Sequence, residues 1–173
     1  MLPGSAARLR SMGLNHKFLL VDREIDGEWE LTRFVHDPRW TLMHDDLVRY
    51  MLDTLAWIPT FNPSRRERMS GLCMWGPTII DEQGAAIAAR VFQSWADLFA
   101  AGPSAPILTG GYTWIVDQDL PGPGTGTLSE PVGRYEKFSI DRDEVVGVLH
   151  RLAHCSMQVQ SAAGRLYLLH HGV

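Results

Sequence analysis

His150 and His154, four residues apart, are the residues whose type and spacing most readily suggest chemistry. On a helix that spacing turns two imidazoles the same way, as metal-binding helices do, and one further ligand would complete a catalytic three-histidine site. The dipeptide His170-His171 could supply that ligand on paper. The helical periodicity points elsewhere. At about 100° per residue, Val145, Leu149, Leu152, Ser156 and Val159 share one face, and His150 and His154 fall opposite, near Asp143 and Arg151, as exposed helix residues do. Alternation along a strand also sends His170 and His171 to opposite sides, so at most one could join a shared site. Terminal histidines on an edge strand are the plainer reading. His150 and His154 therefore stand as candidate ligands only, and no cofactor is implied.

Nucleophilic catalysis finds less support. No G-x-S-x-G elbow occurs, and Cys155 neighbours His154 but projects about 100° away from it, towards the buried side of the helix. Cys73 and Cys155 lie far apart without C-x-x-C spacing, as in reduced thiols of a cytoplasmic protein. The carboxylate pairs Asp45-Asp46, Asp81-Glu82 and Asp143-Glu144 lie at or just before helix N-termini, where the helix dipole and capping account for them. The segment from 121 to 133 (PGPGTGTLSEPVG) is rich in Gly and Pro, yet no Lys-Ser/Thr follows it and no helix begins at once, so it is not a phosphate cradle. Arg65-Arg66-Glu67-Arg68 is short, interrupted by an acid, and reads as a solvated loop. No catalytic residue is assigned, and the chain reads less as an enzyme than as a binding protein.

The elements that would position these residues follow from pattern. Residues 1 to 11 read as a disordered leader before a domain spanning 12 to 173. HKFLLVD (16 to 22) and EWELTRFVH (28 to 36) are β-forming runs joined by Asp26-Gly27, which predicts a hairpin. From His44 to Trp57, Leu47, Met51, Thr54, Leu55 and Ile58 recur at helical spacing, with Asp45 and Asp46 in the first turn and Pro59 as the stop. Residues 59 to 71, with two prolines, predict a loop or short irregular helix, and Leu72 to Trp75 a strand closed by Gly76-Pro77. Gln83 to Ala101 is a second helix, with Ala88, Val91, Phe92, Trp95, Leu98 and Phe99 towards the core and Gly102-Pro103 beyond its end.

Ile107 to Asp117 reads as a strand in which Gly110-Gly111 predicts a bulge. Tyr135 to Ile140 is a further strand. Asp141 with Glu144 then predicts a capped start to a third helix that runs to Ala162 and stops at Gly164. Arg165 to His170 returns as a strand. The order ββαβαββαβ makes one α+β domain with a mostly antiparallel sheet and about three helices.

At 173 residues the chain has the length of one domain, able to bury roughly two-thirds of its unfolded surface. Hydrophobic residues at 45% and charged residues at 21% are a globular balance. A net charge of -4 without a basic patch argues against nucleic acid. No apolar run approaches the roughly 20 residues needed to span a bilayer, and no secretory segment opens the chain. Among six tryptophans, most should anchor the core, Trp95 foremost. Trp29, between Glu28 and Glu30, and Trp40, beside Arg39, are the two whose neighbours suggest exposure and hence a binding surface.

The stretches GLCMWGPTII, WADLFAAGP, ILTGGYTW and RYEKFSIDRDEVVGVLHRLA together resemble the small immunity proteins of bacterial polymorphic-toxin and contact-dependent inhibition systems. The likeness covers the chain loosely from Met12 onward: acidic, rich in tryptophan, α+β, with capped helices and no catalytic motif. It transfers no family residue to a numbered position. It implies a cytoplasmic protein that binds a cognate toxin domain tightly and blocks its active site or the access to it. Strand-end and loop acids, Glu28, Glu30, Asp117, Asp119 and Glu130, together with Trp29 and Trp40, are the expected partner-binding residues. The competing expectation is a small metal-dependent hydrolase or other small-molecule-processing enzyme built on His150 and His154. A third is a homo-oligomer paired through the C-terminal strand or an exposed tryptophan.

Overall fold

The computed structural model describes residues 14–22, 33–34, 36–114 and 133–173, excluding the side chains of 112–114, 133 and 134. Six antiparallel strands form its main sheet in the order β2-β1-β8-β5-β3-β4. They are β1 (Asn15–Val21), β2 (Thr41–His44), β3 (Pro59–Asn62), β4 (Glu67–Ser70), β5 (Pro77–Ile80) and β8 (Tyr167–His171). A separate ribbon pairs β6 (Ile107–Trp114) with β7 (Gly133–Ser139). The helices are α1 (Asp45–Tyr50), α2 (Leu52–Leu55), α3 (Glu82–Ala100) and α4 (Arg142–Ser161). The α+β class and the antiparallel sheet are as the sequence predicts.

Period-2 alternation decides which side chains meet. Along β1, His16 and Phe18 are buried beneath the helices, and Leu19 and Val21 are buried on the other face. On β8, Leu168 and His170 share the helix side. Leu169 and Tyr167 belong to the smaller opposite cluster with Ile79, Phe34, Trp40 and Phe61. On the helix side, α3 contributes Ala85, Ala88, Phe92 and Ala96, and α4 contributes Val145, Leu149, Leu152 and Val159. Burial of a side chain such as Phe92 or Leu149 stabilises the fold by about 1.5–3 kcal/mol. The caps are as expected: Asp81 accepts from the Gln83 amide, and Asp141 from the amides of Asp143 and Glu144.

Several elements differ from expectation. The predicted partner of β1, residues 28 to 36, falls largely outside the described residues, as does the leader. Among the described residues β1 pairs with β2 and β8. The helix expected from 44 to 57 is two short helices interrupted at Met51, a buried residue. Residues 59 to 71 contain a hairpin, not a loop. Its prolines bracket the strand, Pro59 opening β3 and Pro63 following it, where no ladder donor is lost. Its inward positions are polar, Thr60 and Asn62, both buried, so the hydrophobic alternation is absent.

Residues 72 to 75 form no strand; Gly76, at φ +86, makes the turn into β5, which Pro77 opens. The C-terminal strand is interior, bonded on one side to β1 and on the other to β5. Its Leu168-Leu169-His170 run is buried on both faces, so the edge-strand reading fails, and so does pairing to a second copy through β8. Leu98 is 60% exposed, contrary to the helical expectation. The bulge at Gly110-Gly111 is present as a register shift between Thr109 and Tyr112. Among the described residues no helix is long and apolar enough to cross a membrane.

Candidate functional site

Strand pairing sets Phe18 of β1 opposite His170 of β8, and His16 lies two residues away on the same face. The two imidazoles stack with centroids 5.1 Å apart and planes 14° from parallel. His16 Nδ1 lies 2.8 Å from His170 Nε2. On its other side, His16 Nε2 lies 2.9 Å from Oδ1 of Asp45, the first residue of α1. Arg49, one turn later, donates from Nε to Asp45 Oδ2 at 2.6 Å. The Asp45 amide bonds the Leu14 carbonyl at 3.0 Å, fastening the start of α1 to the chain just before β1.

The direction of this chain follows from what each group can donate. A carboxylate only accepts, so the hydrogen on neutral His16 sits on Nε2 and its Nδ1 is a lone pair. His170 therefore donates from Nε2, which leaves its own Nδ1 as a bare acceptor. That atom is fully buried and has no hydrogen-bond partner. Burial pushes His16 below 6.5 despite the opposing pull of Asp45, and His170 well below it, with His16 and His171 adding to the effect. Burial alone would raise Asp45, but the bonds from Arg49 and His16 prevail and hold its carboxyl below the usual range. Two neutral histidines and one carboxylate thus form a proton-holding chain inside the core. His16 and His170 are each 0% exposed, and Phe18 lies against His170 with ring centroids 4.8 Å apart.

Polar groups continue along β5 and β3. Thr78 stands opposite His170 and accepts at Oγ1 from the Cys73 amide at 2.9 Å. Asn62 Nδ2 donates to Cys73 Sγ at 3.2 Å. At the other cysteine, burial pushes the Cys155 thiol up, away from the thiolate a nucleophile needs.

α1 also carries a surface feature at its far end. Tyr50, 41% exposed, meets the rings of Trp95, Phe99 and Phe138 at centroid distances of 5.7, 6.4 and 6.3 Å. Trp95 donates from its indole to Thr54 Oγ1 at 2.7 Å, which joins α2 to the cluster. The exposed Leu98 lies three residues beyond Trp95 on α3. Four elements therefore converge on one partly exposed aromatic patch.

The residues singled out from sequence lie elsewhere. His150 and His154 are exposed on α4, opposite its buried face, as the periodicity predicts. Among the described residues no three His, Cys, Asp or Glu side chains gather as a metal-ligand set. His171 is on the sheet face opposite His170. Trp40 is half-buried rather than exposed, its indole donating to the Phe34 carbonyl at 2.6 Å. Trp29, Glu28, Glu30, Asp117, Asp119 and Glu130 lie outside the described residues. Trp57 and Trp75, expected in the core, are 66% and 68% exposed. In the basic run, Arg68 bonds Asp81 at 2.6 Å and lies over the Phe61 ring, and Arg65 pairs with Glu67 at 3.5 Å.

Sequence reasoning did not single out His16, read Asp45 as an acid at a helix N-terminus, and weighed His170 only as a metal ligand beside His150 and His154. The Asp45/Arg49 spacing and the shared parity of His16 and Phe18 were visible signals, but only the adjacency of β1 and β8 brings the histidines together. Comparison with family models, with curated proteins and with solved structures finds no match to this chain.

Proposed function

We propose that this chain is a protein-binding module that neutralises a cognate bacterial toxin domain by tight association, with the Tyr50 patch as the centre of its contact surface. The observation that carries this reading is the patch itself. Tyrosine and tryptophan dominate binding hot spots because each offers a large rigid area with a polar tip. Here Tyr50 and Trp95 are held in place by neighbouring rings and by the Trp95–Thr54 hydrogen bond, so little side-chain freedom remains to be lost on binding. A net charge of -4 favours approach to a basic partner. His16 and His170 are 0% exposed, which leaves the Tyr50 patch, among the described residues, as the feature open to a partner.

The test is capture of partners on the tagged chain from its native cells, with mass spectrometry and elemental analysis of the same eluate. A stoichiometric partner whose toxicity the chain suppresses is the expected result. Tyr50→Ala should then weaken binding by about 30-fold, the effect of losing roughly 2 kcal/mol at a hot spot. Undiminished binding by that variant would remove the patch from the interface. One equivalent of a transition metal and no partner would replace the inhibitor reading with the hydrolase built on His150 and His154.

A further inference from the structure

His16 and His170 meet nitrogen to nitrogen at 2.8 Å, a gap that holds one hydrogen. With both rings neutral, His170 supplies it. One added proton can be housed: His16 becomes an imidazolium, donating from Nε2 to Asp45 and from Nδ1 to His170, and the His170 hydrogen moves to Nδ1. A second added proton leaves N–H facing N–H, two cations in contact in a site closed to water. Both rings cannot be charged with this geometry intact.

Among the described residues, the surroundings offer no free acid to absorb the second charge. From α1 come Asp45 and Arg49, already bonded to each other, and from β8 comes His171 on the far face. β2 brings His44, which pairs with Asp46 at 3.3 Å. β5 presents the uncharged Thr78, and the segment before it brings Cys73. Phe18 covers His170 and packs on Phe92 of α3, and the buried face of α4 is Val145, Leu149, Leu152, Ala153, Ser156 and Val159. Among the described residues, Asp45 is the one acid bonded to the pair.

Asp45 is also what joins the pair to the surface. α1 is six residues long, with Asp45 at its first position and Tyr50 at its last. A helix this short has little stability of its own and is held by its tertiary contacts, the buried Leu47 and Val48 together with the bonds of Asp45. We propose that the His16–His170 pair is a proton-operated latch on α1: closed when neutral, it ties β8 through β1 to Asp45, and when acid charges both rings their repulsion parts them, displaces His16 together with Asp45 at the start of α1, and unseats Tyr50 from the aromatic patch. The patch is then assembled at neutral pH and lost on acidification. The effect on partner binding rests on the function proposed above, whereas the opening of the latch does not.

The experiment follows the histidine Cε1–H, Tyr50 and Trp95 ring signals of the full chain by NMR from about pH 7.5 to about 4.5. The expected result is that His16 and His170 titrate as a coupled pair and that the Tyr50–Trp95 contacts vanish over the same step. His170→Gln keeps a donor to His16 but cannot be charged, and it should retain those contacts to a pH lower by about one unit or more. Should that variant not fold, the wild-type titration decides alone. Tyr50–Trp95 contacts that outlast protonation of both rings, or two rings that titrate independently at their ordinary value, would overturn the latch. Partner affinity should fall about tenfold or more over the same interval. A latch that opens while affinity stays constant overturns the link to binding and the place of Tyr50 in the interface.

Discussion

At the scale of single residues, the buried histidines set how stability responds to pH. Both have folded-state values below 6.5, whereas the unfolded chain binds protons at that ordinary value. The folded state therefore holds fewer protons below pH 6.5, so stability is fully present above that pH and falls as acid is added. Each proton withheld costs about 1.4 kcal/mol per pH unit. Asp45 acts in the same direction lower down, its contribution present above 3.8 and lost as pH falls through its lowered folded value. Urea midpoints should drop between about pH 7.5 and about pH 5.5. Urea midpoints that stay level over that interval would contradict the assignment.

At the scale of elements, two glycines show where a helix surface is pressed and where it is open. A Cβ at Gly84, in the first turn of α3, would lie 2.0 Å from the Pro59 carbonyl oxygen at the start of β3. Gly147 of α4 has nothing within 4 Å of the same position. Gly84→Ala is expected to destabilise by about 1–3 kcal/mol, as overpacking does. Gly147→Ala should stabilise by about 0.5–1 kcal/mol through helix propensity. Chemical denaturation of the two variants checks both signs. The β3–β4 hairpin shows why short elements are hard to read: with Thr60 and Asn62 facing inwards, its buried positions are hydrogen-bonding groups that serve Gly71 and Cys73.

At the scale of the molecule, β8 is the strand that holds the sheet together. It lies between β1 and β5, so without it the main sheet would divide into β2-β1 and β5-β3-β4. Removing residues 167 to 173 should abolish cooperative unfolding, which circular dichroism on heating would show. A truncated chain that melted normally would refute the central role of this strand. Both sheet faces gain from β8, since Leu168 and His170 face the helices and Leu169 the opposite cluster.

Pattern alone determined the long elements. α3 and α4 have regular apolar faces and Asp caps, the bulge follows from Gly110-Gly111, and the exposure of His150 and His154 follows from helical geometry. These features depend on neighbours a few residues away, which the chain spells out locally. Tertiary structure decided what pairs with what. His16 and His170 are 154 residues apart, and their contact exists because β8 inserts beside β1. The Tyr50 patch likewise needs α1, α2, α3 and β7 to converge. Strand order is a property of the whole core, set by how both sheet faces are covered, and no local spacing encodes it.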